Sequence, residues 1–550
     1  MKIIIPNKPF TTSDFSLRGG GIDFLGLRWV NLTIVGRDLI PELNNVTTDM
    51  GVFFLGAWIP WKFRQLCDNV GDYTEANYKS FREKVEVALS LTFREDCGVD
   101  RAFGLVRNRV GITQKCELPS RLSFEDAQRR EPNSLYAAAI YGPSLRALGF
   151  LTSYYSLARE GERALNIAVP SDDTDAIQIV RGVDAELRKA SSYRLIASLD
   201  SATVRGKDIQ KLANAGLDPA RFRASSHIAL KRAFRRKLLP SDPDDQGYAR
   251  TLTTKLLLAT IQQRDRITTS DIRVAWYVGM FVDGKRLKFA DPALSQHSQR
   301  WSCFMARQYQ RFAIELFLWC FEDAIGHGSR SISDVIEHWS ARTKTAGLNL
   351  NGTFIDLACK HAGSLLMTEE TAISRAWNDR VHGGDVRFEH IAQPQDDKAV
   401  IHGLKMIAGW YWRMLVRMQN QETKDLMSLG GADRISMSWF LGWVSIRKNF
   451  PIREILRDIF SDLVFAQHMR IAVARFDGSS QRLRFLIGDG GIEPTVSAQK
   501  ELGRVRLPWM PDRLDTLVGL LSDCGVLIES GGNLRLGPAS SELLPKDAAL

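Results

Sequence analysis

The sequence predicts a mainly α-helical, multi-domain protein that ends in a small α+β unit of winged-helix type. Three observations carry this. Stretches such as YKSFREKVEVALSLTF and CFMARQYQRFAIELFLWCFEDAI place apolar residues three and four apart, the spacing of one helix face. Extended patterns and turn signals gather only after residue 465. With 550 residues, 44% hydrophobic and 25% charged, the composition is that of a folded protein of about two to four domains, with enough apolar material for a sizeable core.

From the N-terminus, the first strong element is LNNVTTDMGVFFLGAWIPWKF, residues 43–63. Its apolar run from Gly51 to Trp61 falls short of the ~20 residues that a membrane span needs. FAIELFLWCF, residues 312–321, fails the same test, so no membrane partner is expected. The stretch is instead expected to be a buried helix, with Thr48 or Asp49 as N-cap and Pro60 kinking or ending it. MKIIIPNKPF is too short in apolar residues for a secretory signal. Cys67, Cys97, Cys116, Cys303, Cys320, Cys359 and Cys524 stand singly, without a CxxC pair, which is neither a disulfide framework nor a zinc knuckle. A reducing, cytoplasmic location is the expectation.

The next segment holds the charge. The chain carries 73 Lys and Arg against 63 Asp and Glu, a formal +10. Between Arg188 and Lys237 stand thirteen cations and only three acids, Asp200, Asp208 and Asp218, so these fifty residues hold the whole excess. GKDIQKLANAGL suggests a helix stopped by Gly216, DPARF a second start, and SSHIALKRAFRRKLLP a third helix capped by Ser225 or Ser226 and closed before Pro240. In the third, Leu230, Phe234 and Leu238 face inward, and Lys231 with Arg235 and Arg232 with Arg236 form two outward rows. Like charges at this spacing repel by a few tenths of a kcal/mol per pair, a cost that an anionic partner would relieve. Arg221, Arg223, Lys231, Arg232, Arg235 and Arg236 are therefore the expected nucleic-acid contacts, with DNA the favoured form. The competing reading is a solvated face, or cations paired with acids from elsewhere in the chain.

PSDPDDQG, residues 240–247, is an acidic Pro- and Gly-containing break. It separates a helical N-terminal domain, 1–240, from a helical middle domain, 248–465, that includes TLTTKLLLATIQQ, SISDVIEHWSART, HGLKMIAGWYWRMLVRMQNQ and SMSWFLGWVSIRKNF. Residues 466–550 form the third part. There HMRIAVARFDGSSQRLRFLIGDGG is expected to make two strands around DGSS. A helix with Leu514, Leu517, Val518 and Leu521 inward follows, with a stop at Gly525 and two short strands around Gly531-Gly532. Asp512, Asp515 and Asp523 make that helix acidic, so it suits packing or protein contact better than a DNA groove.

Signatures of catalysis are weak. A GxxxxGK[ST] loop and a GxSxG elbow are absent, and GGGIDFLGL suits a turn because no strand precedes it. His382, Asp385, Glu389 and His390 lie within nine residues but lack ligand spacing, so no metal and no cofactor is expected. Asp397, Glu422 and Lys424 are what a divalent-metal nuclease would draw on. His402 with Trp410, Tyr411, Trp412, Trp439 and Trp443 would make a base-stacking platform, although aromatics at helical spacing suit a core.

GGIDFLGLRWVN, then LIPELNNVTTDMGVFFLGAWIPW, then FAQHMRIAVARF near the end resemble, in this order, a family of bacterial proteins encoded in anti-phage defence islands. The matched residues are Gly21, Gly26, Leu27, Pro41, Asn45, Thr47, Phe53 and Trp58, with about a dozen more near residue 468. Relatives carry arginines before the aromatics where this chain has Asp49 and Gly51. The resemblance implies a component of a multi-gene defence system working with other proteins, and it transfers no catalytic residue. The combined expectation is a nucleic-acid-binding or assembly component without catalysis of its own. A metal-dependent nuclease or toxin effector, and a scaffold that docks an acidic partner through the basic helix, are the alternatives.

Overall fold

The stretches with apolar residues three and four apart are helices in the computed structural model, which describes residues 23–68, 73–92, 121–123, 135–136, 141–153, 169–190, 193–199, 203–205, 219–264, 266–281, 283–345, 348–362, 398–417, 423–474, 483–495 and 511–544. In chain order the helices of seven residues or more begin with α1 (Arg28–Ile34), α2 (Met50–Asp68), α3 (Glu75–Thr92), α4 (Thr174–Leu187), α5 (Ile228–Leu238), α6 (Tyr248–Gln263) and α7 (Thr269–Val278). They continue with α8 (Pro292–Gly326), α9 (Ile332–Thr345), α10 (Phe354–Ala362), α11 (Ala399–Arg417), α12 (Met437–Arg447), α13 (Ile452–Asp458), α14 (Gln467–Ala474) and α15 (Leu514–Asp523). Among the described residues the strands pair antiparallel in two-stranded sheets, including β1 (Phe485–Gly488) with β2 (Gly491–Pro494) and β3 (Leu527–Ser530) with β4 (Asn533–Leu536). With 67% of the structure helical, the chain is mainly α.

Two units interleave along the sequence. One takes Ile40–Arg266 and Asp512–Lys546, the other Gly21–Leu39 and Ile267–Pro511. The break at 240–247 therefore lies within the first unit and the last residues return to it, whereas a consecutive reading assigns both to domain boundaries.

In the first unit α2 is the core. Its residues from Met50 to Pro60 are all buried, so it is apolar on every side because it is surrounded on every side. Phe53 meets Tyr141 edge-on at 5.0 Å and Phe234 at 5.5 Å, and Phe54 meets Phe222 at 5.7 Å. Asp49 is the N-cap, its Oδ1 accepting the Gly51 and Val52 amides. Of the two outcomes expected of Pro60, a kink or an end, the second does not occur, and the helix runs on to Asp68. Proline cannot donate to the carbonyl four residues back, and the Gly56 carbonyl accepts instead from the Tyr136 hydroxyl at 2.7 Å. Gly182 brings α4 against α5, since a Cβ there would stand 2.5 Å from Leu230 Cδ2. In α5, Leu230, Phe234 and Leu238 are buried, as their spacing predicts. The helix starts later than the serine caps suggest, because Ser225–His227 form a 3₁₀ turn. The predicted helix in 206–217 lies outside the described residues.

The second unit is built around α8, a 35-residue helix whose middle is buried all round. Trp276 of α7 packs on Trp301 at 4.8 Å, and Tyr277 stacks on Tyr309 at 4.5 Å with the Arg413 guanidinium over its face. The buried face of α8 also carries polar groups, each with a named partner. Arg311 and Arg28 both bind Glu315, Gln308 accepts from Asn31, and Arg307 and Gln310 donate to the carbonyl of Ile435. His468 of α14 donates through Nδ1 to the Phe24 carbonyl and accepts at Nε2 from the Arg484 amide, which fixes a neutral ring. Burial holds its pKa down at about 4.

Residues 468–474 are helical and not the predicted strand: α14 continues the π-helical stretch Ile459–Ala466, which packs against α8. The hairpin forms further on, as β1 and β2 around Asp489-Gly490. The DGSS turn lies outside the described residues. At the C-terminus, α15 buries Leu514, Leu517, Val518 and Leu521, stops at Gly525 with φ +76°, and leads into the β3–β4 hairpin, as the sequence predicts.

Arg250 is the clearest test of the first unit. It is fully buried and donates to the carbonyls of Leu238 and Pro41 and to Glu42. Arg250→Ala leaves those acceptors without a donor, and is expected to lower unfolding free energy by about 3–5 kcal/mol in urea denaturation. A loss under about 1 kcal/mol would show that the pairing is not structural.

Candidate functional site

The basic segment folds so that acids from distant parts of the first unit meet its cations. Arg221 Nη2 lies 3.4 Å from Glu186 Oε1. Arg223 reaches two carboxylates, Asp49 and Asp523, the latter at 3.0 Å. Lys231 donates to the Arg223 carbonyl at 2.6 Å. Arg232 and Arg235 share Glu542, and Arg236 binds Asp175 with two nitrogens. Lys237 meets Asp173 at 2.7 Å. The expectation of two outward rows is corrected for Arg235, which is buried at the edge of the Leu230/Phe234/Leu238 face. Arg232 and Arg236 remain more than half exposed, at 57% and 51%.

The acids are placed for this task by ordinary local rules. Asp173 is the N-cap of α4, accepting from the Asp175 and Ala176 amides. Its carboxyl lies below the usual range because, against the cost of burial, Lys237 and these amides favour the charged form. Asp184 in the same helix is held low likewise: burial opposes it, but Tyr193, Arg188, Trp58 and Lys62 surround it with donors. Asp49 caps α2 and is also the anchor of Arg223.

Asp49, Asp523 and Tyr141 form a largely buried group in the first unit. Asp523 Oδ2 accepts the Met50 amide at 3.0 Å, and the Tyr141 hydroxyl accepts the Asp49 amide at 3.2 Å. Burial raises the Asp523 carboxyl to about 6, with Asp49 adding like-charge repulsion and Arg223 relieving part of it. Burial raises Asp49 and Tyr141 too. The single guanidinium of Arg223 thus balances two carboxylates at the start of α2 and the end of α15, and holds those helices together.

The aromatic cluster of the second unit divides. Trp410, Tyr411 and Trp443 are buried and belong to the core, with Trp410 4.9 Å from Phe440. Trp439 is exposed, and so are Ile446 and Phe450, on the same side of α12 and just past its end, with Gly442 opening onto empty space between them. Ile446 is 72% exposed. A small cavity in this unit is lined by Phe354, Ile407, Trp443, Val444, Arg447, Ile455 and Ile459. His382, Asp385, Glu389, His390, Asp397 and Glu422 lie outside the described residues.

A mixed histidine–carboxylate group that sequence spacing does not reveal sits at the end of α8. Among the described residues, Asp323, His327 and His338 bring one ligand atom each within 4.8 Å of one another. Arg342 binds Asp323 Oδ2 at 2.8 Å and stacks over Trp339. The signal available in the sequence was only Asp and His at i, i+4; His338 comes from a different helix.

No helix of the described residues is long and apolar enough to cross a membrane. In comparisons with known proteins, no family model, no curated protein and no solved structure matches the chain.

The Asp523 geometry gives a pH test. Its folded pKa lies above the unfolded value near 4, so the folded state gains from the proton below about 4 and loses that gain as pH rises to about 6; the ionised carboxylate then costs about 2–3 kcal/mol. Asp523→Asn removes this dependence. Its stability relative to the unsubstituted protein is expected to rise by about 2 kcal/mol between pH 4 and pH 7 in parallel urea melts, whereas a constant difference would contradict the burial account.

Proposed function

We propose that the protein is a non-catalytic assembly component of a bacterial anti-phage defence complex, which holds a protein partner through the exposed apolar face of α12. The observation that carries this reading is that face. Trp439 and Ile446 on one side of α12, and Phe450 just past its end, are large, apolar and solvent-exposed, and interface cores are enriched in such aromatic side chains and depleted of charge. The defence context comes from the resembled motifs.

The state of the basic segment supports a protein partner over a nucleic acid. The six cations expected as phosphate contacts already have carboxylate or carbonyl partners within their own unit. In this reading α15 with the β3–β4 hairpin is a winged-helix-type unit used for packing, with Asp523 of α15 turned to Arg223 and Glu542, past the hairpin, to Arg232 and Arg235. A second reading, nucleic-acid contact, draws on Arg232 and Arg236: both are exposed, and exposed ion pairs are worth only about 0–1 kcal/mol, so a phosphate can exchange with the carboxylate.

Two measurements separate the readings. When the protein is co-expressed with the products of neighbouring genes and treated with nuclease, Trp439→Glu/Ile446→Glu is expected to reduce partner recovery at least about tenfold with its circular dichroism melt unchanged; undiminished recovery contradicts the assembly reading. Binding to duplex DNA, followed by fluorescence anisotropy, is expected to show a log K against log salt slope no steeper than about −2, the value for two phosphates. A slope near −5 would instead restore all six cations as phosphate contacts.

A further inference from the structure

The end of α8 and one face of α9 place four side chains that the assembly reading does not use. Asp323 and His327 are one turn apart on α8 and so face the same side. His338 enters from α9, its Nε2 3.4 Å from Asp323 Oδ2. That separation matches the edge of a tetrahedron around an ion with ligand bonds of about 2.1 Å. His327 Nδ1 stands 2.8 Å from the Asp323 carbonyl oxygen. With Nδ1–H donated there, the ring lone pair lies on Nε2, the arrangement in which ligating histidines are usually held.

The surroundings favour positive charge. A 35-residue helix ends at Gly326, and its last carbonyls and the negative end of its dipole point into this region. One cation already exploits it: Arg342 Nη1 lies 2.8 Å from Asp323 Oδ2 and 3.3 Å from His338 Nε2. It fixes the carboxylate through one oxygen and leaves Oδ1 toward His327, at 3.6 Å from Nδ1. His327 is 63% exposed, so the group opens to solvent.

We propose that Asp323, His327 and His338 form a site for a divalent transition metal of the zinc class, with a fourth, solvent-facing position. Two imidazoles and one carboxylate select zinc, cobalt or nickel over calcium and magnesium, which take oxygen ligands. Three protein ligands with an open position are the pattern of zinc sites that bind water or an exchangeable anion. Arg342 Nη1 spans the same two atoms, Asp323 Oδ2 and His338 Nε2, so metal binding moves the guanidinium out from between them. The site is independent of the α12 face, and its failure would leave the assembly reading untouched.

The test uses the full-length protein and the metals alone. Zinc is titrated by calorimetry and cobalt by visible absorption, and the same is done for His327→Ala, an exposed position whose loss leaves packing intact, and for His338→Gln. The expected result is the ligand-field spectrum of four-coordinate cobalt and a loss of zinc affinity of at least about tenfold in His327→Ala. Because the chain has nine histidines, the His327→Ala comparison decides which site is being filled. No metal uptake by the unsubstituted protein, or an unchanged affinity in His327→Ala, would overturn the assignment.

Discussion

The constraint on which the first unit rests is charge compensation between residues far apart in the chain. Fifty residues carry the entire positive excess, and such a segment cannot pack against an apolar core unless its charges are matched. The matching acids come from α4 and the C-terminal segment: Asp173, Asp175 and Glu186 on one side, Asp523 and Glu542 on the other. Each pair also fixes a position. Arg235 joins α5 to the C-terminal residues, and Arg223 joins the start of α2 to the end of α15. Several of these pairs are exposed and weak one by one. The buried ones, around Asp49 and Arg235, cannot lose a partner without leaving a charge in a low-dielectric surrounding.

The second unit uses another device. A helix as long as α8 could slide or rotate against its neighbours if its buried face were wholly apolar. Arg307, Gln308, Gln310, Arg311 and Glu315 place polar groups on that face that are satisfied by particular partners, the carbonyls of Arg434 and Ile435, Asn31 and Arg28. Buried polar groups of this kind add little net stability, but they make the wrong register costly. Two segments far apart in the sequence meet on the same seam. Gln467 donates to the Leu25 carbonyl, and Gly26, with φ +70°, lies so close to Arg434 and Ile471 that a Cβ has no room.

Helices were legible in the sequence because burial repeats with the helical period, and α5 and α15 follow it. What was not legible depends on partners that are near in space and far along the chain. Pro60 stays within α2 because a hydroxyl eighty positions away takes up the freed carbonyl. The basic segment suggests a polyanion when seen alone, since the partners of Arg221, Arg236, Arg223 and Arg235 lie 35, 61, 174 and 307 positions away. Residues 468–474 have the alternation of a strand, yet the helix that precedes them carries them on. Asp323, His327 and His338 escape any linear motif because two helices supply them. The exposed face of α12 is hidden in sequence for the opposite reason: its apolar residues run all round the helix, and only packing shows which of them are left outside.

A double-mutant cycle on Arg235 and Glu542 tests the central claim most directly. Arg235→Gln, Glu542→Gln and the double variant are compared by urea unfolding at low salt. If the positive excess is matched by the chain's own carboxylates, the two substitutions are coupled by about 1 kcal/mol or more, with the double variant costing less than the sum of the singles. Strictly additive losses would mean that the pair does no structural work, and the basic helix would again be a face waiting for an external anion.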